Sequence, residues 1–430
     1  MLSKRDNDVL SHVGRGTPLG SFMRRYWHPI ALSSQVAKPD GDPLRVQLLG
    51  EHFVVFRDTA GRVGVFDEKC MHRGASLALG RNEQGGLRCL YHGWKFAVDG
   101  TILETPNHAD CRLRQRLRAP AYPVREQSGI VWAYIGESKS EPPFRAFGFD
   151  LVPDSHRTVF RANTGANWLP LFEGGLDSSH VPMLHTNLMR PSWQANTTAV
   201  APEYDEVWND LTPEYEVDDT VFGFQYCAFR KLPGGMRNAR LVPAVFPNLR
   251  FIPMKGPAIC AIEVPLNDHQ TATYVVIYSE ERPVDREQEG RFHGFDSPLY
   301  NETSCNINLD WADGLGQDRQ SMATNWTGFS GVEIEDVAIS TSIGGDWDRS
   351  KEHLVPSDAA VVRLRRRLLE AVARFQEGQQ PPGVDLADMT GVAGYDRNLS
   401  ADDSWHDFVP PMSRTSARAA ATEEPPTTTS

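Results

Sequence analysis

The stretch Cys70-Met71-His72-Arg73-Gly74, answered by Cys89-Leu90-Tyr91-His92-Gly93-Trp94-Lys95, decides how this chain is read. Each short loop supplies one thiol and one imidazole. In the order Cys, His, Cys, His, two thiolates can hold one iron of a 2Fe–2S cluster and two neutral imidazoles the other. That ligation raises the reduction potential above that of an all-cysteine cluster. Cys70, His72, Cys89 and His92 are therefore read as ligands of a one-electron carrier. A single tetrahedral zinc ion is the competing reading of a Cys2His2 set. Zinc fingers pair a close set of cysteines with a distant set of histidines, whereas here both pairs are mixed, which favours the dinuclear cluster.

The chain around these loops is rich in short strands. Residues 45–49 alternate apolar and polar, Gly50-Glu51 turns into Phe53-Val54-Val55-Phe56, and Thr59-Ala60-Gly61 turns into Val63-Gly64-Val65-Phe66. Asp99-Gly100 between residues 95–98 and 101–103 is a hairpin signal, and residues 130–135 read as a buried closing strand. An antiparallel β domain over 40–137 follows, preceded by a segment (1–39) that is helical over 5–30 and is expected to pack on a second domain. Residues 138–143, Ser-Lys-Ser-Glu-Pro-Pro, read as a linker. The second domain, 144–410, opens with a helical block over 165–188. It continues with strands near 221–229, 249–252, 258–264 and 271–278. It ends in a helix from Asp358 to Glu377, capped by Ser357 and stopped at Gly378. Val361, Leu364, Leu368, Val372 and Phe375 form one apolar stripe on that helix. Arg363, Arg365, Arg366 and Arg367 read as a solvated or acid-paired face, and 411–430 as a disordered tail. The fold class is α+β.

A chain of 430 residues accommodates two domains with large cores. Its formal charge of −12 excludes a broadly basic protein, and nucleic acid is not an expected partner. No apolar run approaches a membrane span, and the opening Met1-Leu2-Ser3-Lys4-Arg5-Asp6 lacks a signal core, so a cytoplasmic location is expected. Cys111, Cys227, Cys260 and Cys305 are scattered and are expected to be free thiols. No G-x-G-x-x-G follows a strand and opens a helix, so NAD(P)H is expected to be oxidised on another protein.

A cluster ligated on all sides moves electrons but has no open position, so a second site must consume them. Glu173-Gly174-Gly175-Leu176-Asp177-Ser178-Ser179-His180-Val181-Pro182-Met183-Leu184-His185 contains E-x3-D-x2-H-x4-H. His180 and His185 with a distant carboxylate would make the facial triad of a non-haem Fe(II) centre, open to O2. On a regular helix, residues five apart lie about 140° around the axis, too far for one ion. Pro182 also lacks the helix N–H. A distorted helix with a π-type widening is expected to bring the two rings together. The competing reading is an ordinary helical turn capped by Asp177. The carboxylate candidates are Glu333, Glu335, Asp336, Asp346 and Asp348, of which Asp346 and Asp348 adjoin Arg349 and are expected in structural ion pairs.

The two ligand segments together resemble the catalytic subunit of Rieske non-haem iron ring-hydroxylating oxygenases, in the phthalate and phenoxybenzoate dioxygenase-like branch. The resemblance extends to Gly14-Arg15-Gly16-Thr17-Pro18-Leu19-Gly20, Arg25-Tyr26-Trp27-His28-Pro29 and residues 348–358. It implies a Rieske domain beside a helix-grip catalytic domain, in which a long C-terminal helix packs on a curved antiparallel sheet. It implies one Rieske 2Fe–2S cluster and one mononuclear Fe(II), with Asp336 as the iron carboxylate. Asp177 matches the bridging aspartate between a cluster histidine and an iron histidine. It further implies a homotrimer or homohexamer, in which the cluster of one subunit serves the iron of its neighbour. The electron donor would be an NAD(P)H-dependent flavin and ferredoxin-type reductase. The expected reaction is dioxygenation of a small aromatic carboxylate with O2, and Arg230, Lys231, Arg237 and Arg240 are candidate anchors for its anion. Monooxygenation or O-demethylation of an aryl ether is the alternative within the same chemistry, and an electron carrier without catalysis the alternative outside it.

Overall fold

A computed structural model of the chain describes residues 2–108, 111–136, 141–189, 205–345 and 347–409. The expected tail (411–430), part of the expected linker (138–140) and Asp346 lie outside the described residues.

Two short helices open the chain. α1 (Lys4–Ser11) starts at Ser3, whose hydroxyl accepts the Asp6 N–H, and α2 (Pro18–Met23) starts at Thr17, which accepts the Gly20 N–H. The helical reading of 5–30 fails after Met23: Trp27–Leu32 is a strand, β1, buried along its whole length and containing Pro29. Proline interrupts a helix, and a short run buried at every position suits a covered strand.

The next strands build the cluster-bearing region. β2 (Leu44–Leu48), β3 (Glu51–Arg57) and β4 (Val63–Asp67) form an antiparallel meander. β5 (Arg81–Glu83), β6 (Gly86–Arg88), β7 (Lys95–Phe96) and β8 (Ile102–Glu104) form a second sheet, followed by α3 (Cys111–Arg116). β9 (Val124–Gln127) and β10 (Ile130–Tyr134) return and pair, β10 lying between β9 and β1. Successive side chains of a strand face opposite ways, and β3 uses this to divide two cores. Phe53 and Val55 join the main core with Trp168 and Leu364, whereas Val54 and Phe56 join a smaller core with Cys70, Cys89 and Trp94.

The larger region contains β11 (Ala146–Phe147), β12 (Arg157–Thr164), α4 (Trp168–Gly174), α5 (Val181–Leu184), α6 (Thr186–Met189) and α7 (Asp205–Trp208). Five long strands follow: β13 (Glu214–Thr220), β14 (Gly223–Lys231), β15 (Arg237–Val245), β16 (Leu249–Ile252) and β17 (Ala258–Pro265), with β18 (Thr271–Tyr278) closing the run. α8 (Arg286–His293), β19 (Tyr300–Asn301), β20 (Asn306–Ile307), α9 (Val332–Ile343), α10 (Ala359–Gln376), β21 (Asp388–Met389) and β22 (Tyr395–Leu399) complete it. The sheet runs β13-β14-β15-β16-β17-β18-β12-β20-β19, with β22 also on β15, and is antiparallel throughout its long strands. Tyr274 and Val276 share one core with Leu364 and Leu368 of α10, while Val275 and Ile277 share another with Ile334 and Val337 of α9. The two faces of β18 thus belong to two cores, α10 itself resting on β13 and β14.

α10 buries Val361, Leu364, Leu368 and Val372, with Phe375 half-buried. Ser357 is not its cap. Residues 356–358 form a 3-10 turn, and the Asp358 carboxylate accepts the Val355 N–H instead (2.6 Å). The four arginines are acid-paired, but Arg365 is buried rather than solvated: it forks onto Glu173 of α4 (2.6 and 2.9 Å) and reaches Glu352 (2.5 Å). Asp348 turns to Ser350 and Lys351 instead of Arg349, which approaches Glu173 and Asn7. Arg365→Ala leaves the buried Glu173 and the half-buried Glu352 without their main cation. The expected loss is about 3–5 kcal/mol in the denaturant unfolding of the protein, whereas Arg366→Ala, on the exposed side, should leave unfolding close to native.

Candidate metal centres

The two cysteine–histidine loops are built alike. The Gly74 N–H donates to the Cys70 carbonyl (2.8 Å) and the Gly93 N–H to the Cys89 carbonyl (3.0 Å), so each loop closes over five residues. Both glycines take φ of +73°, where a side chain is strained. The two thiols are buried and hydrogen-bonded to each other, and burial pushes the Cys70 thiol up to about 11. Opposite them the His72 and His92 rings lie 4.5 Å apart, His72 stacked on Trp94 (4.7 Å, 3°). Partial burial, His72 and Arg73 lower the proton affinity of His92 and favour its neutral ligand form. His180, His185 and Asp336 are the one set of three or more donors, among the described residues, whose atoms all lie within 4.8 Å. The four cysteine and histidine donors form no such set, so they suit two irons joined by sulfide better than a single zinc.

The second candidate centre joins α5 to α9. The expected π-type widening is absent. α4 ends at Gly174, a loop follows, and α5 is a single turn with His180 just before it and His185 just after it. The His185 N–H donates to the Val181 carbonyl (3.1 Å), an ordinary helical bond. His185, with ψ of +30°, is already leaving the helix, and that departure lets the rings meet at 5.2 Å and 77°. Asp336 Oδ1 lies 3.3 Å from His185 Nε2 and 3.5 Å from His180 Nε2. Donors about 2.1 Å from one ion and at right angles are about 3 Å apart, so the three atoms fit a facial set with small adjustment.

The outer edges of both rings are held. His180 Nδ1 donates to the Asp177 carbonyl (2.6 Å), and His185 Nδ1 donates to Glu335 Oε2 (2.6 Å). The Thr327 hydroxyl donates to the other Glu335 oxygen (2.6 Å). Burial opposes charge on His185, but Asp336 and Glu335 more than offset it and push the ring up to about 10. Burial likewise opposes the Asp336 charge, and the two imidazoles hold that carboxyl far below the usual range. Without a metal the cluster retains a proton, and a divalent cation is what would replace it.

The family described as Rieske [2Fe-2S] domain matches residues 26–123, and that described as LigXa C-terminal domain like matches 133–428. The phthalate 4,5-dioxygenase oxygenase subunit of Pseudomonas putida is 35% identical over 416 residues, 95% of each chain. The chain is therefore a Rieske-type oxygenase subunit. The 3-chlorobenzoate-3,4-dioxygenase oxygenase subunit of Comamonas testosteroni is 33% identical, over 92% of this chain and 95% of its own. Dicamba monooxygenase, at 18% identity, shares the fold with a TM-score of 0.57 over 84% of this chain and 100% of its own. Rieske oxygenase subunits of this kind carry a 2Fe–2S cluster and a mononuclear iron, and the two donor sets fit those groups.

The other expected residues fall as follows in this oxygenase subunit. Asp177 Oδ1 accepts the Ser179 N–H and hydroxyl (2.7 and 2.6 Å), and its Oδ2 lies 3.8 Å from His180 Nδ1. Of the four basic candidates only Arg240 lines the cavity above the histidines. Arg230 is buried and tethers Ser178 (3.1 and 2.5 Å), Arg237 lies over Phe229 and donates to Asp403, and Lys231 is exposed beside Glu214. One candidate takes another role and one residue was missed. Glu335, among the carboxylate candidates, accepts from His185 Nδ1 on the side away from Asp336. Arg250, buried in the cavity wall against Glu263 (2.5 Å), is signalled by an arginine inside the apolar strand β16. No described helix is long and apolar enough to cross a membrane. Glu335→Gln removes the charge that orients His185, and ferrous iron affinity is expected to fall about 10–100-fold, read by competition with a chelator, with the cluster absorbance unchanged.

Proposed function

We propose that this subunit is the terminal oxygenase of a dioxygenase acting on a small aromatic carboxylate, with iron held by His180, His185 and Asp336 and the cluster held by Cys70, His72, Cys89 and His92. The observation that carries the reading is the convergence of His180, His185 and Asp336 on a cavity walled by Val181, Val242, Ile252, Ile259 and Phe292. When bound, the cluster supplies electrons singly and the iron supplies open positions for O2. The residues do the rest. Apolar walls strip water from an aromatic ring, Glu335 and the Asp177 carbonyl fix the two imidazoles, and Thr327 fixes Glu335. Arg240 is engaged with the Pro253 carbonyl (2.7 Å) and Asp396 (3.5 Å), so it lends the cavity charge more than a free hydrogen bond. The carboxylate substrates named for the relatives support an acid as the substrate class.

Electrons are drawn from NAD(P)H by a separate flavin and ferredoxin-type reductase, and the working unit is a homotrimer or a pair of trimers. Two features support that assembly. Leu79, Leu90 and Tyr91 stand exposed on the cluster-bearing region, where Lys69 and Arg73 are also exposed. On the catalytic side, the cavity containing Asp177 and His180 is edged by exposed Ile339 and Ile343 and by Asp358. Both surfaces expose apolar side chains, as an interface core requires. A neighbour's cluster histidine meeting Asp177 Oδ2 would give the aspartate its bridging role, since its Oδ1 is committed to Ser179.

The test is turnover of a panel of aromatic acids and aryl ethers with reductase under labelled O2. Two labelled atoms in the product of an acid support the reading, and an unlabelled phenol released together with a labelled aldehyde from an ether replaces it with O-demethylation. A protein that reoxidises without product under any of these is a carrier. Asp177→Asn keeps a similar shape without the charge. Both metals are expected at native content, with product formation down at least about 100-fold, the magnitude typical of a lost oriented contact. Turnover at the native rate removes the bridge role.

A further inference from the structure

We propose that His293 orients the substrate, through a hydrogen bond from its ring to a polar oxygen of the bound molecule. The proposal deepens the aromatic-acid reading and rests on it. His293 ends α8 and is 2% exposed, yet neither ring nitrogen has a hydrogen-bond partner among the described residues. Most buried polar groups are paired, and one left open beside a cavity can meet an oxygen of an occupant or of a water. The ring lines the same cavity as His180, His185 and Asp336, in a wall otherwise dominated by apolar side chains.

Its neighbours are more constrained. Arg240 is engaged with Pro253 and Asp396. Arg250, although its Nε and Nη1 have no aligned hydrogen-bond partner among the described residues, is held 2.5 Å from Glu263 with its Nε packed against Gly175. Glu333 Oε1 lies 3.4 Å from Nδ1, so the substrate oxygen is assigned to the Nε2 edge. The placement is rigid. α8 stops at Gly294 in the left-handed region, and a Cβ on Gly331, at the start of α9, would stand 2.2 Å from the Gly294 Cα. The backbones touch there, so the position of His293 is registered to the helix that carries Asp336. An oxygen held by His293 would therefore set which ring carbon faces the metal site.

The experiment measures binding of 3-chlorobenzoate and of chlorobenzene, which lacks the oxygens, by calorimetry on the metal-loaded protein. His293→Phe keeps the ring volume, and His293→Gln keeps a donor. The phenylalanine variant is expected to bind the acid at least about tenfold more weakly and chlorobenzene within about twofold of native, with the glutamine variant within about threefold for the acid. Iron content and cluster absorbance stay native. In turnover the phenylalanine variant gives a mixture of oxidation positions where the native protein gives one. Native-strength binding of the acid with the same single product overturns the proposal. A native protein that binds chlorobenzene but no acid instead overturns the aromatic-acid reading, a result distinct from equal binding by native and variant.

Discussion

Two adjacent acids on one helix set the terms for the catalytic region. Glu335 and Asp336 leave α9 about 100° apart, one buried and one opening on the cavity. Inward carboxylates are costly unless positive charge meets them. His185 meets both, one ring edge to each, and His180 meets Asp336 from the other side. The one-turn α5, the Arg230 tether on Ser178 and the Thr327 hydroxyl on Glu335 all act on the same demand. Each narrows where an imidazole can sit before any metal arrives, which is how a protein fixes ligand geometry in advance.

That arrangement was partly legible in the residues. The histidine pair and the mixed Cys–His loops are local patterns, so spacing reveals them. Asp336 comes from more than 150 positions further on, and only the resemblance separated it from Glu335; the structure separates them by which oxygen faces which ring nitrogen. The π-type widening was inferred from helix geometry over residues that do not form one continuous helix. Gly174 and the loop after it break the segment, a tertiary outcome that a 100° rule does not anticipate. Trp27–Leu32 was likewise read as helix because its apolar residues fit either period, and pairing with β10 decided it. Arg250 and His293 carry no spacing at all; each is significant only because other elements bury it.

The distribution of cations says how selectivity is achieved. Three of the buried arginines hold the scaffold: Arg230 ties β14 to the loop before His180, Arg349 joins α1 to the Glu173 network, and Arg365 clamps α4 to α10. A guanidinium spent on a backbone carbonyl or an internal acid has little left for a ligand. Arg240 and Arg250 then bring positive charge to the cavity wall, and the His293 ring adds a polar group without a partner of its own among the described residues.

The alternation along β3 bears on how the two metal regions cooperate. Because Phe53 and Val55 pack into the main core while Val54 and Phe56 pack under Cys70 and Cys89, the cluster loops are fastened to the body through the opposite face of one strand. Within the loops, His72 stacks on Trp94, Tyr91 lies against His92 and Arg73 lies over Tyr91. Rotating the loops toward their own catalytic region would turn β3 over and expose Phe53 and Val55, at roughly 1.5–3 kcal/mol for each large side chain. A two-faced strand therefore holds the cluster loops in a fixed place on the body of the chain, with Leu90 and Tyr91 exposed at their tip.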